Sequence, residues 1–486
     1  MSEKEEIKRY ISFDLGRGLA IIAVIGFHVL NVCYNADAAI NSAIDSMNIS
    51  FILLVIILAF LGQSYPAFIL LSAAGNTISM ERRWLKLTAD GSEKSKKVAY
   101  KAILTDQIIR GLILILISYF SETLLNTGLT YLIVQDPNHD VIKDMLSQFY
   151  HSQIIGLIGF GVIISAIIYL NCVKRNFSKE KIKKILYIFT AIFIFGYPLM
   201  VELFKAIPGL WNHPEEYIVS ASIGIEVLYW FLSPFANGWF PYFPNAGLSL
   251  LGVVIGIEIA NAKISKDFFR KLLRSGWLFF ICGIIWLIID EFIFEGNSYR
   301  YYDSIFMATA SSILLLAVFF YYIDVKGNGN KIANRTKFFR RFGLLSLTTW
   351  CLQWTAAIPL RIIHEVTNWI NKTSIPFYLS DIYLGYLSGW MTWVMIFVAI
   401  GFISLILWMI SLTNYKISFE YLLAKIMTLG NKKSESSKIN IALTLDKTKS
   451  LISENEGQNF IDFKARIILM IMFIVFMLGS IIGLIF

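Results

Sequence analysis

Residues 9–28 read RYISFDLGRGLAIIAVIGFH, an apolar stretch that holds Arg17 near its start and His28 at its end. At about 100° per residue, eleven steps return a helix to within about 20° of its starting direction. The two side chains therefore share one face of the predicted helix, separated by about 16 Å of rise. An ionisable pair inside a membrane span indicates a functional site.

The composition is that of an integral membrane protein. Apolar residues make up 56% of the chain, aromatic residues 15% and charged residues only 16%, which is far from the average of soluble domains. We expect one transmembrane domain over 1–412, because no segment of soluble character there is long enough to build its own core. The polar segment 413–463 is interpreted as a cytoplasmic loop with an amphipathic piece at 415–429, and 464–486 as an additional C-terminal helix.

The predicted fold class is all-α, a polytopic membrane protein with about eleven transmembrane helices. The predicted spans are 12–33, 49–80, 103–126, 148–172, 184–204, 242–261, 273–294, 303–324, 342–365, 382–412 and 465–486. Pro66 predicts a kink in the second span. If the apolar run at 217–235 crossed the membrane, the number of crossings would disagree with the orientation that the loop charges predict. The run is therefore interpreted as a re-entrant or interfacial helix.

Loop charge predicts the orientation. The loop 81–101 holds seven Lys and Arg residues, whereas 34–48 holds none. The positive-inside rule therefore places the N-terminus in the cytoplasm, and eleven crossings place the C-terminus outside. We expect a multi-pass protein of the plasma membrane. The sequence leaves open whether the protein forms a homodimer.

Several function classes lack their sequence signature. The net charge of +9 is explained by basic cytoplasmic loops beside anionic lipid, so we expect no nucleic-acid partner. The four cysteines have no metal or redox spacing, and no Walker motif, dinucleotide fingerprint or HExxH motif occurs. We expect no metal site.

Ionisable residues within the spans fall at two depths. Those at the predicted cytoplasmic ends are Asp14, Arg17, Asp106 and Arg110. Those in the predicted outer third are His28, Glu122, His151, Asp290, Glu291, Arg361 and His364. Two levels suit a donor on one side of the membrane and an acceptor on the other, whereas a coupled transporter more often concentrates such groups at the midplane.

Each of these residues also has a purely structural interpretation. Asp14 and Arg17 could form an i, i+3 ion pair at a helix end, and His28 could be a satisfied core histidine. His151 and His364 lie near span ends, where a solvated imidazole is the simpler explanation.

Three further polar residues have similar alternatives. Glu122 could be a boundary charge that faces outer water. Gln153 and Gln353 are as consistent with hydrogen bonding between helices as with substrate contacts.

The order of motifs resembles the transmembrane acyltransferases. Residues 9–28 resemble the opening signature of the bacterial acyltransferase family 3 O-acetyltransferases and the heparan-α-glucosaminide N-acetyltransferase-like proteins, with Arg17 and His28 at the matching arginine and histidine. The stretch 65–75 is similar to the family's small-residue segment. Weaker similarities follow in order at Arg110–Gly111, 153–159, 243–256 and 343–353.

The sequence departs from the pattern at two places. Ser72 is followed by Ala73 where family 3 usually has glycine, and 34–48 lacks the histidine of the glucosaminide acetyltransferases. O- and N-acylation both stay open.

The resemblance implies transfer of an acyl group, most often acetyl, from cytoplasmic acyl-CoA to a hydroxyl or amine of a glycan or lipid-linked sugar outside. His28 is the expected base or acyl carrier. The expected catalytic residues are His28, Glu122 and His151. The expected acetyl-CoA contacts are Arg17, Asp14, Arg110, Ser72 and Arg82. The expected acceptor contacts are Gln153, Gln353, Arg361, His364 and Asp290.

Two rival interpretations remain. One is a proton-coupled secondary transporter of a sugar, lipid or organic anion, with His28 and Glu122 in proton coupling. The other is a non-catalytic membrane scaffold.

Overall fold

A computed structural model describes ten ranges of the chain and one further residue. The ranges are 10–33, 65–121, 151–207, 223–236, 240–260, 266–293, 300–326, 329–372, 389–412 and 415–429, with residue 238 in addition. All regular structure in these ranges is helical, and no β-strand occurs in them. The all-α membrane class predicted from sequence is confirmed at that level.

The α-helices of the described ranges number sixteen. The first eight are α1 (Ile11–Cys33), α2 (Tyr65–Leu87), α3 (Glu93–Tyr119), α4 (Ile154–Lys174), α5 (Lys179–Phe195), α6 (Tyr197–Lys205), α7 (Ile223–Leu232) and α8 (Tyr242–Ala260). The others are α9 (Lys266–Ile293), α10 (Arg300–Phe319), α11 (Gly329–Arg335), α12 (Lys337–Leu344), α13 (Ser346–Leu352), α14 (Ala357–Asn371), α15 (Gly389–Leu412) and α16 (Phe419–Leu429). A π-helical turn, Phe320–Val325, extends α10, and short 3₁₀ turns follow α7 and α13.

Seven described helices are long and apolar enough to cross a bilayer, or eight if a bent pair is counted as one span. The seven lie within α1, α3, α4, α8, α9, α10 and α15. The predicted number of eleven is therefore reached only in part among the described residues. The predicted helix at 465–486 and most of the loop 413–463 lie outside them, so their topology stays a prediction.

Two predicted spans are interrupted. The span 184–204 is a pair of helices, α5 and α6, bent by 40°, because Gly196 ends α5 and Pro198 can only begin a new helix. The span predicted at 342–365 is divided among α12, α13, a 3₁₀ turn and α14. The backbone of Leu345 leaves helical geometry, with φ −107° and ψ 35°, and separates α12 from α13.

Other boundaries shift by a few residues. α2 continues to Leu87 and α3 begins at Glu93, so two helices extend into the basic segment predicted as a loop. Ser92 caps α3 by accepting a hydrogen bond from the backbone N–H of Ser95.

Pro66 lies in the first turn of α2, where proline fits. Residues 49–64 and the predicted kink lie outside the described residues. Of the stretch 217–235, the structure describes α7 and its 3₁₀ turn, and its re-entrant character stays a prediction.

The chain divides into two compact units. The first contains residues up to Phe68 and the stretch from Ala262 to Tyr421. The second contains Ile69–Asn261 with residues that follow Tyr421.

In the second unit, α3 packs on α4, and α8 packs on both α4 and α5. A Cβ on Gly111 would lie 2.6 Å from the carbonyl oxygen of Gly159, and the reverse distance is also 2.6 Å. The backbones of α3 and α4 are therefore in direct contact, as small residues permit in membrane helices. Buried aliphatic and aromatic side chains around Tyr169 and Leu250 form the core.

In the first unit, α1 packs on α12 and α15, and α9 packs on α10. The contact between α1 and α12 is again made by two glycines. A Cβ on Gly18 would lie 1.9 Å from the carbonyl oxygen of Phe339, and a Cβ on Gly343 would lie 1.9 Å from that of Asp14. No side chain larger than hydrogen fits at either position without separating the helices.

We predict that Gly18→Ala and Gly343→Ala each lower stability, by the upper part of the roughly 1 to 3 kcal/mol typical of overpacking, because each methyl group meets a backbone carbonyl that cannot rotate away. Gly401→Ala in α15 is the matched control, since nothing lies within 4 Å of its Cβ. That control should be neutral or stabilising. Melting temperatures in detergent, followed by a thiol-reactive dye that reports exposure of buried Cys351, measure the three variants. Equal melting temperatures for all three would contradict the contact.

Candidate functional site

The cytoplasmic end of α1, as oriented by loop charge, carries a buried charge cluster. The Asp14 carboxylate lies 4.0 Å from Nη2 of Arg17 and 3.9 Å from Nη2 of Arg340 on α12. Asp14 and Arg340 are fully buried, whereas 21% of the Arg17 side chain is exposed. Arg340 also donates to the carbonyl oxygen of Ala333, at 3.3 Å. Two guanidinium groups thus share one carboxylate in the first turn of α1, where a negative charge is favoured.

His28, near the other end of α1, lies against two tryptophans. Its ring stacks on Trp354, with 4.7 Å between centroids and 14° between planes. Trp350 approaches the same ring edge-on at 6.3 Å. The amide of Gln353 also approaches the imidazole, at a geometry short of a standard hydrogen bond. The imidazole is therefore held in an aromatic setting with one polar neighbour.

One broken helix provides the partners of both ends. Phe339, Arg340 and Gly343 meet the start of α1, and Trp350 and Trp354 meet His28. Residue numbers rise together along the two segments, so 337–356 runs parallel to α1. Asp14 and His28 therefore both contact this segment, and Arg17 pairs with the Asp14 carboxylate that also faces Arg340.

The break between α12 and α13 has its own polar partner. The carboxylate of Glu420, in the first turn of α16, accepts the backbone N–H groups of Leu347 at 2.8 Å and Thr348 at 3.1 Å. It also accepts the Thr348 hydroxyl. That hydroxyl in turn accepts the N–H of Phe419 at 2.9 Å. Glu420 thus caps the start of α13, the helix that leads to the His28 contacts.

A second buried carboxylate lies at the end of α10. Asp324 belongs to the π-helical turn and is 1% exposed. Ser12 of α1 is the polar neighbour that affects its carboxyl group. Neither carboxylate oxygen has a partner of standard geometry among the described residues. π-Turns often occur at functional positions, and this one places an unneutralised acid beside α1.

The expected acyl-CoA contacts divide between the two units. Asp14 and Arg17 form the cluster described above in the first unit. Arg110, Ser72 and Arg82 belong to the second unit, so their part in the same site stays a prediction. Arg110 donates to the side chain of Asn76 at 3.0 Å.

Ser72 is half-buried on α2 and Arg82 is exposed on the same helix. The neighbouring Arg83 pairs with Asp106.

The expected catalytic and acceptor residues are also distributed. His151 and Gln153 lie in the second unit, directly before α4, with Gln153 at its N-cap position. Glu122 lies outside the described residues, as does the side chain of Asp290. Their roles stay predictions.

On α14, Arg361 pairs with Glu365 at 2.7 Å. Buried His364 is within hydrogen-bond distance of Asn368, at 3.1 Å. Both contacts are made one turn apart within that helix. The contacts of His28 are made by Gln353 and its tryptophan neighbours.

Sequence reasoning missed several residues of this arrangement. No local pattern distinguishes Arg340, and Trp350 and Trp354 lie within the predicted span 342–365. Their signal is the spacing of four residues, which places both rings on one side of a helical segment. Glu420 and Asp324 had no local signal.

We predict that Glu420 makes the stability of the protein depend on pH. Burial raises the pKa of this carboxyl group above its ordinary value, more than its hydrogen bonds lower it. The folded protein therefore holds the proton more tightly than the unfolded chain. The contribution of Glu420 to the free energy of unfolding is present below the pKa of the unfolded chain, about 4.3, and is lost as the pH rises through the raised pKa of the folded protein.

Glu420→Gln removes this titration and retains an acceptor for the N–H groups of α13. The difference in melting temperature between variant and native protein should shift in favour of the variant from about pH 4 to about pH 8. Glu365→Gln, at a half-exposed carboxylate, is the control and should follow the native curve. Parallel curves for Glu420→Gln and native protein would contradict the assignment.

The chain was compared with protein-family models, curated proteins and solved structures. No protein-family model, curated protein or solved structure matches the chain.

Proposed function

We propose that this protein is a membrane-bound acyltransferase. It would move an acyl group, most often acetyl, from cytoplasmic acyl-CoA to a hydroxyl or amine of a glycan or lipid-linked sugar on the outer side. The observation that supports the proposal is that one segment, 337–356, contacts both ends of α1: Arg340 lies at the Asp14 carboxylate that Arg17 shares, and Trp354 stacks on His28. The opening signature at residues 9–28 supports it.

The inner cluster suits the phosphates of a nucleotide. Arg340 is completely buried and holds Asp14, which makes it a structural support. Arg17 keeps part of its side chain accessible, so it is the guanidinium that can meet a phosphate oxygen. Arginine binds phosphate through its planar fork of donors.

The outer end suits acyl transfer. In direct transfer, the imidazole of His28 takes the proton of the acceptor hydroxyl while its oxygen bonds to the thioester carbon. The carbon–sulfur bond then breaks, and the thiolate of CoA takes the proton back from the imidazolium. In the ping-pong alternative, the imidazole nitrogen bonds to the acyl carbon, the carbon–sulfur bond breaks, and the CoA thiolate takes the proton of the imidazole N–H. The acceptor oxygen then bonds to the acyl carbon and displaces the imidazole, which takes the acceptor's proton.

The distance between the two ends matches the donor. Eleven residues of helix separate Arg17 from His28 by about 16 Å. An extended pantetheine arm has a length of roughly 15 to 20 Å, by bond-length reasoning like that for the backbone. An acyl-CoA bound at Arg17 could therefore present its thioester at the imidazole.

Asp324 favours a second candidate function. A buried carboxylate with no neutralising partner among the described residues is also found in proton relays of transporters. A proton-coupled transporter of a sugar, lipid or organic anion would use Asp324 and His28 as proton carriers. It would show substrate flux in liposomes without any dependence on CoA.

We predict that His28→Gln abolishes acyl transfer and leaves acyl-CoA binding intact. Loss of a general base typically lowers the rate by about 10² to 10⁴-fold, and loss of an acyl carrier removes the labelled intermediate altogether. Purified protein is incubated with radiolabelled acetyl-CoA, and free CoA and label on the protein are measured. Binding of acetyl-CoA is measured separately by equilibrium dialysis.

Glu202→Gln on α6, whose exposed carboxylate pairs with Lys205, serves as the control and should keep native rates. Absence of acetyl-CoA binding by the native protein at millimolar concentration would overturn the enzyme proposal. Native rates in His28→Gln would overturn the role of the imidazole.

A further inference from the structure

Several buried polar atoms without a hydrogen-bond partner of standard geometry lie on His28 and on two residues that contact it. They are Nδ1 of His28, both amide atoms of Gln353 and the indole nitrogen of Trp354. Each is enclosed, and none has a hydrogen-bond partner of standard geometry in the described part of the chain. Buried polar atoms in native proteins are almost always paired, so such a group requires an explanation.

The local backbone explains why these atoms meet. Gln353 and Trp354 open the 3₁₀ turn Gln353–Ala356 that follows α13. Trp354 stacks on the imidazole ring, and the amide of Gln353 approaches the same ring. Gln353 is only 4% exposed, so bulk water does not satisfy its amide.

A structural role alone does not account for the arrangement. A glutamine that joins two helices would hydrogen-bond the neighbouring helix; the amide of Gln353 approaches His28 on α1, but neither of its polar atoms makes a hydrogen bond of standard geometry with a described residue. Leaving a buried donor without an acceptor is energetically unfavourable. Two N–H donors without acceptors beside the imidazole indicate a bound group that accepts hydrogen bonds from them.

The chemistry of the atoms restricts that group. The indole N–H of Trp354 can only donate, and the amide nitrogen of Gln353 also donates. A partner with acceptor oxygen is therefore required. In acyl transfer, the carbonyl oxygen becomes negatively charged when the nucleophile adds, and fixed N–H donors stabilise it most strongly at that point.

We infer that the amide N–H of Gln353 and the indole N–H of Trp354 form an oxyanion hole for the acyl group that reacts at His28. This inference rests on the proposed acyltransferase function. The acceptor oxygen bonds to the carbonyl carbon, its proton passes to His28, and the carbonyl electrons move to the oxygen held by the two donors. When these electrons return, the carbon–sulfur bond breaks and CoA leaves with the proton from the imidazolium.

The experiment measures release of CoA from acetyl-CoA by the purified full-length protein, with water or an added sugar as acceptor. Trp354→Phe removes the N–H and keeps an aromatic ring against His28. Gln353→Met removes the amide and keeps a similar volume, and Gln353→Glu is a second isosteric variant. Trp408→Phe makes the same chemical change at a half-exposed position of α15 and is the control.

Each donor variant should lower kcat by about 10² to 10³-fold with little change in KM for acetyl-CoA, while the control keeps native values. Melting temperatures of all variants show whether they are folded. A rise in KM at unchanged kcat, or unchanged values for both, would overturn the oxyanion hole and leave the acyltransferase proposal standing. Absence of acetyl-CoA binding and turnover in the native protein would overturn both.

Discussion

The arrangement depends on one close contact between two backbones. Gly18 of α1 and Gly343 of α12 each lie against a carbonyl group of the opposite helix, at distances that no methyl group tolerates. Since the axes are so close, side chains along both segments meet directly: Asp14 approaches Arg340 at one end and His28 stacks on Trp354 at the other. In a bilayer, where burial of apolar surface does not drive helices together, such close packing is a main source of association.

The interruption of the second segment also has physical consequences. A break in a helix leaves N–H groups without intrahelical partners, so the buried ones need other protein acceptors. Glu420 provides these partners at α13 from a helix more than seventy residues later in the chain. The 3₁₀ turn that follows α13 carries Gln353 and Trp354, which lie against His28.

The sequence was sufficient for the class and for the first helix. The apolar stretch after Asp14 predicts α1, and helical periodicity alone places Arg17 and His28 on one face. It was not sufficient for the broken helix, because hydropathy over 342–365 is that of one continuous span. The partners of the break and of Asp14 are Glu420 and Arg340, and these pairings are set by tertiary packing that no local pattern encodes. Arg110, Gln153 and His151 could be named from the sequence, but their place relative to His28 stays a prediction.

A double-mutant cycle between Asp14 and Arg340 tests most directly whether α1 and the broken helix form one packed unit. The free energy of unfolding in detergent is measured for the native protein, Asp14→Ala, Arg340→Ala and the double variant. Asp14→Ala removes the carboxylate that buried Arg340 faces, and Arg340→Ala removes one of the two guanidinium groups at Asp14. The double variant should therefore be destabilised by less than the sum of the single changes, with a coupling energy of about 0.5 to 3 kcal/mol. Additivity within about 0.5 kcal/mol would show that the two side chains do not meet and would contradict the account.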